Sequence, residues 1–345
     1  MTDIKSIIFI RTDANNAIGM GHLIRCFALA KMLESSFNVK FIFTNTDELI
    51  ANKFLENSFD SFWINGSDKL NEAEAVTNYV RSNNAFALIL DGYQFDSEYQ
   101  KKVYDSSFKL IYIDDLIYPN YFCDLVINQA DILPERYKTI KQTKYLLGSS
   151  YVLLRPDFLK VAKNDLREIN SIKNIFISFG GADVSNITLK VLKALLVLNI
   201  ECSIHLLSGP LNQNSSEIGN LCSEKSTLNF YSNLSSSQVK ELIANCDLAL
   251  IPNSNLSLEA CAVRILMITG ITTNNQLGYY NSFQANKLSL GIGNWDDASE
   301  DEILAAVKKI INFNSDEKKT QLLNQHKYID GFSSERILHH IKTIN

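Results

Sequence analysis

The stretch Ser6–Leu33, SIIFIRTDANNAIGMGHLIRCFALAKML, admits few folds. Ile7–Ile10 is a short apolar, β-branched run suited to a strand buried on both faces. Arg11, Thr12 and Asp13 follow, placing polar groups at the carboxyl end of that strand, which is where ligands bind in open α/β sheets. Ala14–Met20 is longer than a routine strand-to-helix turn, and Gly19 and Gly21 permit a tight backbone there. His22 then falls in the first turn of a helix whose apolar face is Leu23, Phe27, Ala30 and Leu33. A helix amino terminus favours anions and disfavours an imidazolium, so a neutral imidazole beside a bound phosphate is a candidate general base. A capping or half-buried structural histidine is the competing reading.

The same alternation continues along the chain. Strands are expected at Val39–Asn45, Phe86–Tyr93, Lys109–Leu116, Asp124–Gln129 and Lys144–Leu154, with helices at Glu48–Phe59 and Leu70–Ser82. After a charged, helix-prone segment at Phe158–Lys173, strands are expected at Ile175–Phe179, Cys202–Gly209, Thr227–Asn233, Asp247 onward, Leu266–Thr272 and Leu288–Ile292, again separated by helices. Strands alternating with helices predict mostly parallel sheets covered on both faces. At 345 residues the chain has room for two such domains. The expected class is α/β with two Rossmann-like domains facing a cleft: 1–156, a linker at 157–171, and 172–345.

Three expected strands of the first half end in polar residues: Arg11–Asp13, Asp91–Tyr93, and Asp114 with Asp115. The sheet-edge rule lets these share one crevice, although turn or cap duty explains most strand-end aspartates. Adjacent Asp114 and Asp115 point to opposite sides, which argues against a shared metal. In the second half, a Gly180–Gly181 turn follows a buried strand, and Ser185 or Asn186 is the expected cap of the helix after it. Together these make an anion cradle, though the glycines also suit a packed turn. Ser254 or Asn255 is expected to cap a further helix, with Glu259 on its exposed first turns.

The formal net charge of −5 argues against nucleic acid or an anionic membrane as partner. The six cysteines lack any CxxC or close Cys/His spacing and read as buried thiols rather than a zinc site. Met1–Ile10 is short of a signal-peptide core, and no apolar run approaches the roughly 20 residues of a spanning helix, so a cytoplasmic location is expected.

RTDANNAIGMGHLIRCFALA resembles the opening motif of the pseudaminic acid pathway UDP-sugar hydrolases (PseG/SpsG-like), R-x-D, a loop, then G-x-G-H-x-x-R-C-x-x-L-A. LILDGY, YIDDL, CDLVINQ, LLGSSYVLLRPDF, SFGGADVSN, Asn275–Gln276 and a closing D-G-x-x-x-x-R resemble further motifs of that family, in order. The resemblance implies a GT-B-like architecture and hydrolysis of a UDP-sugar, foremost UDP-2,4-diacetamido-2,4,6-trideoxy-β-L-altropyranose, for nonulosonic acid biosynthesis. It implies His22 as the base activating water, and Asp13 as a partner that orients His22 or binds sugar hydroxyls. It places Arg11, Gly21, Arg25, Tyr93, Asn275 and Gln276 at the sugar, with core packing the competing role of Tyr93. Gly180, Gly181, Ser254, Asn255 and Glu259 would hold UDP, Glu259 at the ribose. No cofactor or metal is called for, and family precedent is compatible with a monomer. The chain departs from the family at Pro252–Asn255, where relatives carry a Gly-Ser-Thr type of loop, and at Val263–Ile265, where they carry Gly-x-Pro. Pro252 supplies no N–H donor. A glycosyltransferase using the same donor, or a non-catalytic nucleotide-sugar binder, are the alternatives.

Overall fold

Apolar runs too short for core helices and bounded by polar turns fold here into two parallel sheets, as fully buried strands do when helices cover both faces. The computed structural model describes residues 5–15, 18–55, 58–65, 68–105, 107–139, 142–198, 201–209, 212, 214–223 and 225–344, with Ile50 and Lys53 described by backbone alone. Residues 16 and 17 of the expected loop, and 56 and 57 of the expected helix Glu48–Phe59, lie outside the described residues.

The first unit comprises residues 1–156 and 332–345. In chain order it contains β1 (Ile7–Thr12), α1 (Gly21–Leu33), β2 (Asn38–Phe43), α2 (Glu48–Leu55), β3 (Asp60–Trp63), α3 (Lys69–Ser82), β4 (Ala87–Asp91), α4 (Ser97–Val103), β5 (Lys109–Ile113), β6 (Leu125–Asn128) and β7 (Lys144–Leu147). The sheet order is β3-β2-β1-β4-β5-β6-β7, all parallel, so the topology reverses between β1 and β4. Two elements escape the sequence reading. β3 is a four-residue, half-buried edge strand with no long apolar run, and α4 is a seven-residue helix capped by Asp96.

β1 runs two residues past the expected Ile10, so Arg11 and Thr12 belong to the strand and alternate across it. Thr12 lies in register with Asp91, and Arg11 with Leu90. Phe9, Leu88 and Leu90 pack with Ala73, Val76 and Val80 of α3 on one face. Thr12 and Asp91 fall on the other face, the one covered by α1.

The second unit spans residues 157–331. It follows α5 (Pro156–Ala162) with β8 (Asn174–Ile177), α6 (Ile187–Val197), β9 (Ser203–Ser208), α7 (Ser215–Ser223), β10 (Leu228–Ser232), α8 (Ser236–Ala244), β11 (Leu248–Pro252), α9 (Asn255–Val263), β12 (Leu266–Ile271), α10 (Leu277–Ala285), β13 (Leu290–Asn294), α11 (Glu300–Ile311) and α12 (Ser315–Tyr328). Its six-stranded parallel sheet is ordered β10-β9-β8-β11-β12-β13. Ile175, Ile177, Leu248, Leu250, Leu266 and Ile268 of the central strands build its core with Val191, Leu192 and Leu195 of α6.

The division of the chain differs from the expected one at both ends of this unit. Residues 157–171 are part of it rather than a linker, with Phe158 and Ala162 fully buried. The final helix, α13 (Ser333–Lys342), belongs to the first unit, where it lies beside α1. Its Ile337 and Ile341 are fully buried, and Ser333 Oγ donates to the Val152 carbonyl at 2.7 Å. No side chain caps α13 at Phe332.

Candidate active site

The carboxyl edge of the first unit's sheet gathers His22, Arg25 and Cys26 of α1, Asp91 at the end of β4, and Asp115 after β5. His22 Nδ1 lies 2.7 Å from Asp91 Oδ1. Arg25 grips the same carboxylate with Nη2 on Oδ1 at 2.5 Å and Nε on Oδ2 at 2.7 Å. Its Nη1 reaches both oxygens of Asp115, at 2.8 and 2.7 Å. The Cys26 thiol donates to Asp91 Oδ2 at 3.2 Å. His22 and Arg25 are three residues apart, so they share one face of α1.

Burial by itself would push the Asp91 carboxyl up. The Arg25 guanidinium, and His22 after it, outweigh burial and hold it well below the ordinary carboxylate range. Asp91 is therefore an acceptor only, and the ring nitrogen facing it carries the hydrogen. The 3.1 Å approach of Arg25 Nη2 to His22 Nδ1 is then two donors converging on Oδ1 rather than a bond between them. This tautomer leaves Nε2 as the ring's acceptor. Burial, with Asp91 close by, pushes the Cys26 thiol well up, so it stays an inert donor. Tyr93, 38% exposed, stands edge-on to the imidazole with ring centroids 4.6 Å apart.

Two expected site residues, Asp13 and Arg11, sit elsewhere. Asp13 does not orient His22. Its Oδ1 accepts from the Thr44 and Asn45 N–H groups and from Thr46 Oγ1, tying the ends of β1 and β2 together. Arg11, expected at the substrate, is 1% exposed. It bonds Asp13 at 2.7 Å and Glu72 at 2.8 Å, under a second hydrogen bond from Tyr99 to Glu72. Residues i and i+2 of a strand share a face, so Arg11 and Asp13 pair with each other on the α3 side, away from His22. Arg25, also expected at the sugar, stays in the His22 cluster, bonded to Asp91 and Asp115. Gly21, the first residue of α1, is exposed, and beyond its chain neighbours and its own helix backbone no described atom lies within 4 Å of a Cβ built on it.

Asp91 and Asp115 are the members of the site that motif reading left as turn or cap residues. The signal for them was their place at strand ends, shared with Asp13. Asp114, next to Asp115, points away: it accepts from Tyr137 Oη at 2.8 Å and from the Leu116 and Ile117 N–H groups. Burial pushes its carboxyl up. Among the described residues no group of three or more His, Cys, Asp or Glu is arranged to hold a metal.

In the second unit, Gly180, Gly181, Ser254, Asn255, Asn275 and Gln276 all lie just past the carboxyl ends of β8, β11 and β12. Gly180 has φ +83°, and a Cβ on Gly209, after β9, would meet the Gly181 backbone at 2.4 Å, so the two glycine segments pack directly. Asn186 is the N-cap residue of α6 but makes no side-chain cap bond, which Asp183 supplies instead. Its carboxylate accepts from the Ile187 and Thr188 N–H groups at 2.8 and 3.0 Å, so this helix terminus already holds an anion. Ser254 caps α9 through its Oγ. Glu259 is buried, 3% exposed, rather than on an exposed turn. Asn253, fully buried before that cap, has neither side-chain amide atom hydrogen-bonded among the described residues, and neither is Ser208 Oγ at the end of β9. Gln276 Oε1 accepts from the Thr272 N–H at 2.8 Å, bracing the turn after β12.

No protein-family model matches the chain. It is 29% identical over 291 residues to an uncharacterised protein of Methanocaldococcus jannaschii, a match covering 80% of this chain and 58% of that one. It is 26% identical over 189 residues to the UDP-2,4-diacetamido-2,4,6-trideoxy-β-L-altropyranose hydrolase of Campylobacter jejuni, covering 53% of this chain and 64% of that one. The chain thus spans about three-fifths of the length of the curated relatives it matches. Among solved structures, MurG of Acinetobacter baumannii superposes with TM-score 0.68 at 11% identity, over 98% of this chain and 99% of that one. The UDP co-structure of S. aureus MnaA gives 0.66 at 13%, over 98% and 96%. UDP-GlcNAc 2-epimerase of Neisseria meningitidis, bound to UDP-GlcNAc, gives 0.64 at 13%, over 98% and 100%. The chain therefore has two Rossmann-like parallel α/β units in a GT-B-like fold, and is distantly similar in sequence to a UDP-sugar hydrolase.

Proposed function

We propose that this protein hydrolyses a UDP-sugar, with UDP-2,4-diacetamido-2,4,6-trideoxy-β-L-altropyranose as its substrate and His22 as general base. Nε2 of His22 takes a proton from water, and the water oxygen bonds to C1 of the sugar. The bond from C1 to the diphosphate oxygen breaks, and its electron pair leaves with UDP. The products are the free sugar and UDP, and the proton on His22 returns to solvent. One observation supports this most: the imidazole is held through Nδ1 by a carboxylate that can only accept, which leaves Nε2 for the water. The sequence similarity to the Campylobacter hydrolase supports the substrate class.

In this reading the second unit holds UDP. The Gly180–Gly181 backbone and the start of α9 take the diphosphate, with Ser254 and Asn255 beside it and Glu259 toward the ribose. The unbonded amide of buried Asn253 suits a polar ligand at that strand end. Tyr93 and Gly21 border the sugar. The group binds without a metal, its developing charge met by backbone N–H groups.

The fold likeness to a UDP-glucosyltransferase of Polygonum tinctorium favours a second reading, transfer of the sugar to an acceptor hydroxyl. The test is release of UDP from the purified protein and the altrose nucleotide, followed by NMR, with His22→Ala as control. Release without acceptor, reduced roughly 10²–10⁴-fold in His22→Ala with UDP affinity kept, is expected. Release only on adding an acceptor overturns hydrolysis in favour of transfer.

A further inference from the structure

Four buried side chains from three separate elements form one continuous chain of contacts: His22 to Asp91, Asp91 to Arg25, Arg25 to Asp115. We propose that Asp115 is a positioning residue for His22, acting through Arg25 and Asp91 to aim the imidazole and to supply the net negative charge that a proton arriving on it meets. The inference rests on the reading of His22 as a base.

The charge count carries it. Arg25 offers one positive charge to two carboxylates. With Asp91 alone, the guanidinium would cancel the carboxylate that the imidazole faces, and a proton on His22 would meet a neutral pair. Asp115 restores one unit of negative charge to the cluster. All four side chains are at most 6% exposed, so solvent screens little of this. The geometry is equally specific. Arg25 is bidentate toward Asp91 through Nε and Nη2, its Nη1 forks to both oxygens of Asp115, and a guanidinium fixed at both ends cannot swing away from Asp91. Asp115 thereby fixes the oxygen that fixes His22.

The other groups facing His22 do not replace this charge. On α1 the Cys26 thiol is a neutral donor to Asp91. Tyr93, after β4, meets the imidazole ring to ring. Arg11 and Asp13, on β1 and just past it, pair with each other on the opposite face of the sheet.

The experiment is nitrogen-15 NMR on histidine-labelled protein, with the His22 signals assigned by their loss in His22→Ala. In the wild type, Nδ1 is expected to carry the proton. In Asp115→Asn, which keeps the size and one acceptor oxygen, the same tautomer is expected, but protonation of the ring moves to lower pH by roughly one unit. Asp115→Glu, which retains the charge, is expected to titrate like the wild type. In turnover, Asp115→Asn should lower kcat several-fold with KM unchanged. An unmoved titration in Asp115→Asn overturns the proposal, as does an equal shift in Asp115→Glu. If Asp115→Asn fails to fold, Asp115→Glu against Arg25→Lys gives the same comparison, with Arg25→Lys expected to blur the tautomer. The titration needs no substrate. Its failure therefore leaves the hydrolase reading standing, and absence of UDP release beside the expected titration overturns only the hydrolase reading.

Discussion

Asp13 and Asp91 leave adjacent strands at the same sheet edge, yet only Asp91 meets His22. Asp91 is in register with Thr12, one residue before Asp13. In a pleated strand that single step changes the face. Asp91 therefore shares the α1 side with Thr12, and Asp13 returns to the α3 side with Arg11, at 2.7 Å.

Loss of the Asp91 charge should cost stability in a pH-dependent way. Its carboxyl is held below the ordinary range in the folded chain. A depressed acid contributes stability that is present above the unfolded value of about 3.9 and is lost as pH falls toward the folded value. Asp91→Asn should be less stable than the wild type by about 3 kcal/mol at pH 7, since Arg25 and His22 lose a buried partner. The gap should narrow as pH drops below about 4. Urea midpoints measured from pH 7 to pH 3 check this, and a gap that widens on acidification would contradict it.

The Arg11 knot should behave as a structural pair. Arg11→Ala leaves the Glu72 and Asp13 carboxylates buried without their cation, at a cost of about 3–5 kcal/mol. Replacing Arg11 by Met and Glu72 by Leu together should cost clearly less than Arg11→Ala, because no buried charge at Glu72 remains. Chemical denaturation of the variants tests this, and the NMR signature of His22 should not change in any of them.

Gly209→Ala should damage the second unit's ligand edge rather than its core. Its new methyl would sit far inside van der Waals contact with the Gly181 backbone, at 2.4 Å from Cα and 2.5 Å from the carbonyl oxygen. The Gly180–Gly181 turn must then move. Calorimetric titration with UDP is expected to show affinity at least tenfold weaker, with the thermal unfolding of the first unit unchanged.

Removal of residues 332–345 should destabilise the first unit although the missing segment follows the second in sequence. Ile337 and Ile341 are fully buried there, and burial of a side chain of this size is worth about 1.5–3 kcal/mol. Limited proteolysis of the truncated chain should open sites within residues 1–156 before sites within 157–331. Preferential cleavage of the second unit would contradict the assignment of α13.

The amino-acid order by itself determined the class of fold. Runs such as Ile8–Ile10 and Leu248–Ile251 are buried on every side chain, and each is followed by a turn and a helix, a pattern that parallel α/β sheets satisfy. It also marked His22 in the first turn of α1, and the capping signal at Ser254 was readable because it is local. Tertiary structure alone decided the rest. That β4 lies beside β1, that Thr12 rather than Asp13 stands level with Asp91, and that α13 returns to the first unit depend on contacts between residues up to hundreds of positions apart. Spacing along one strand predicts a side chain's face only once the strand's true end is known, and β1 ended two residues later than its apolar run. The partner of His22 was therefore written in the pleat of two neighbouring strands, a relationship that no single segment contains.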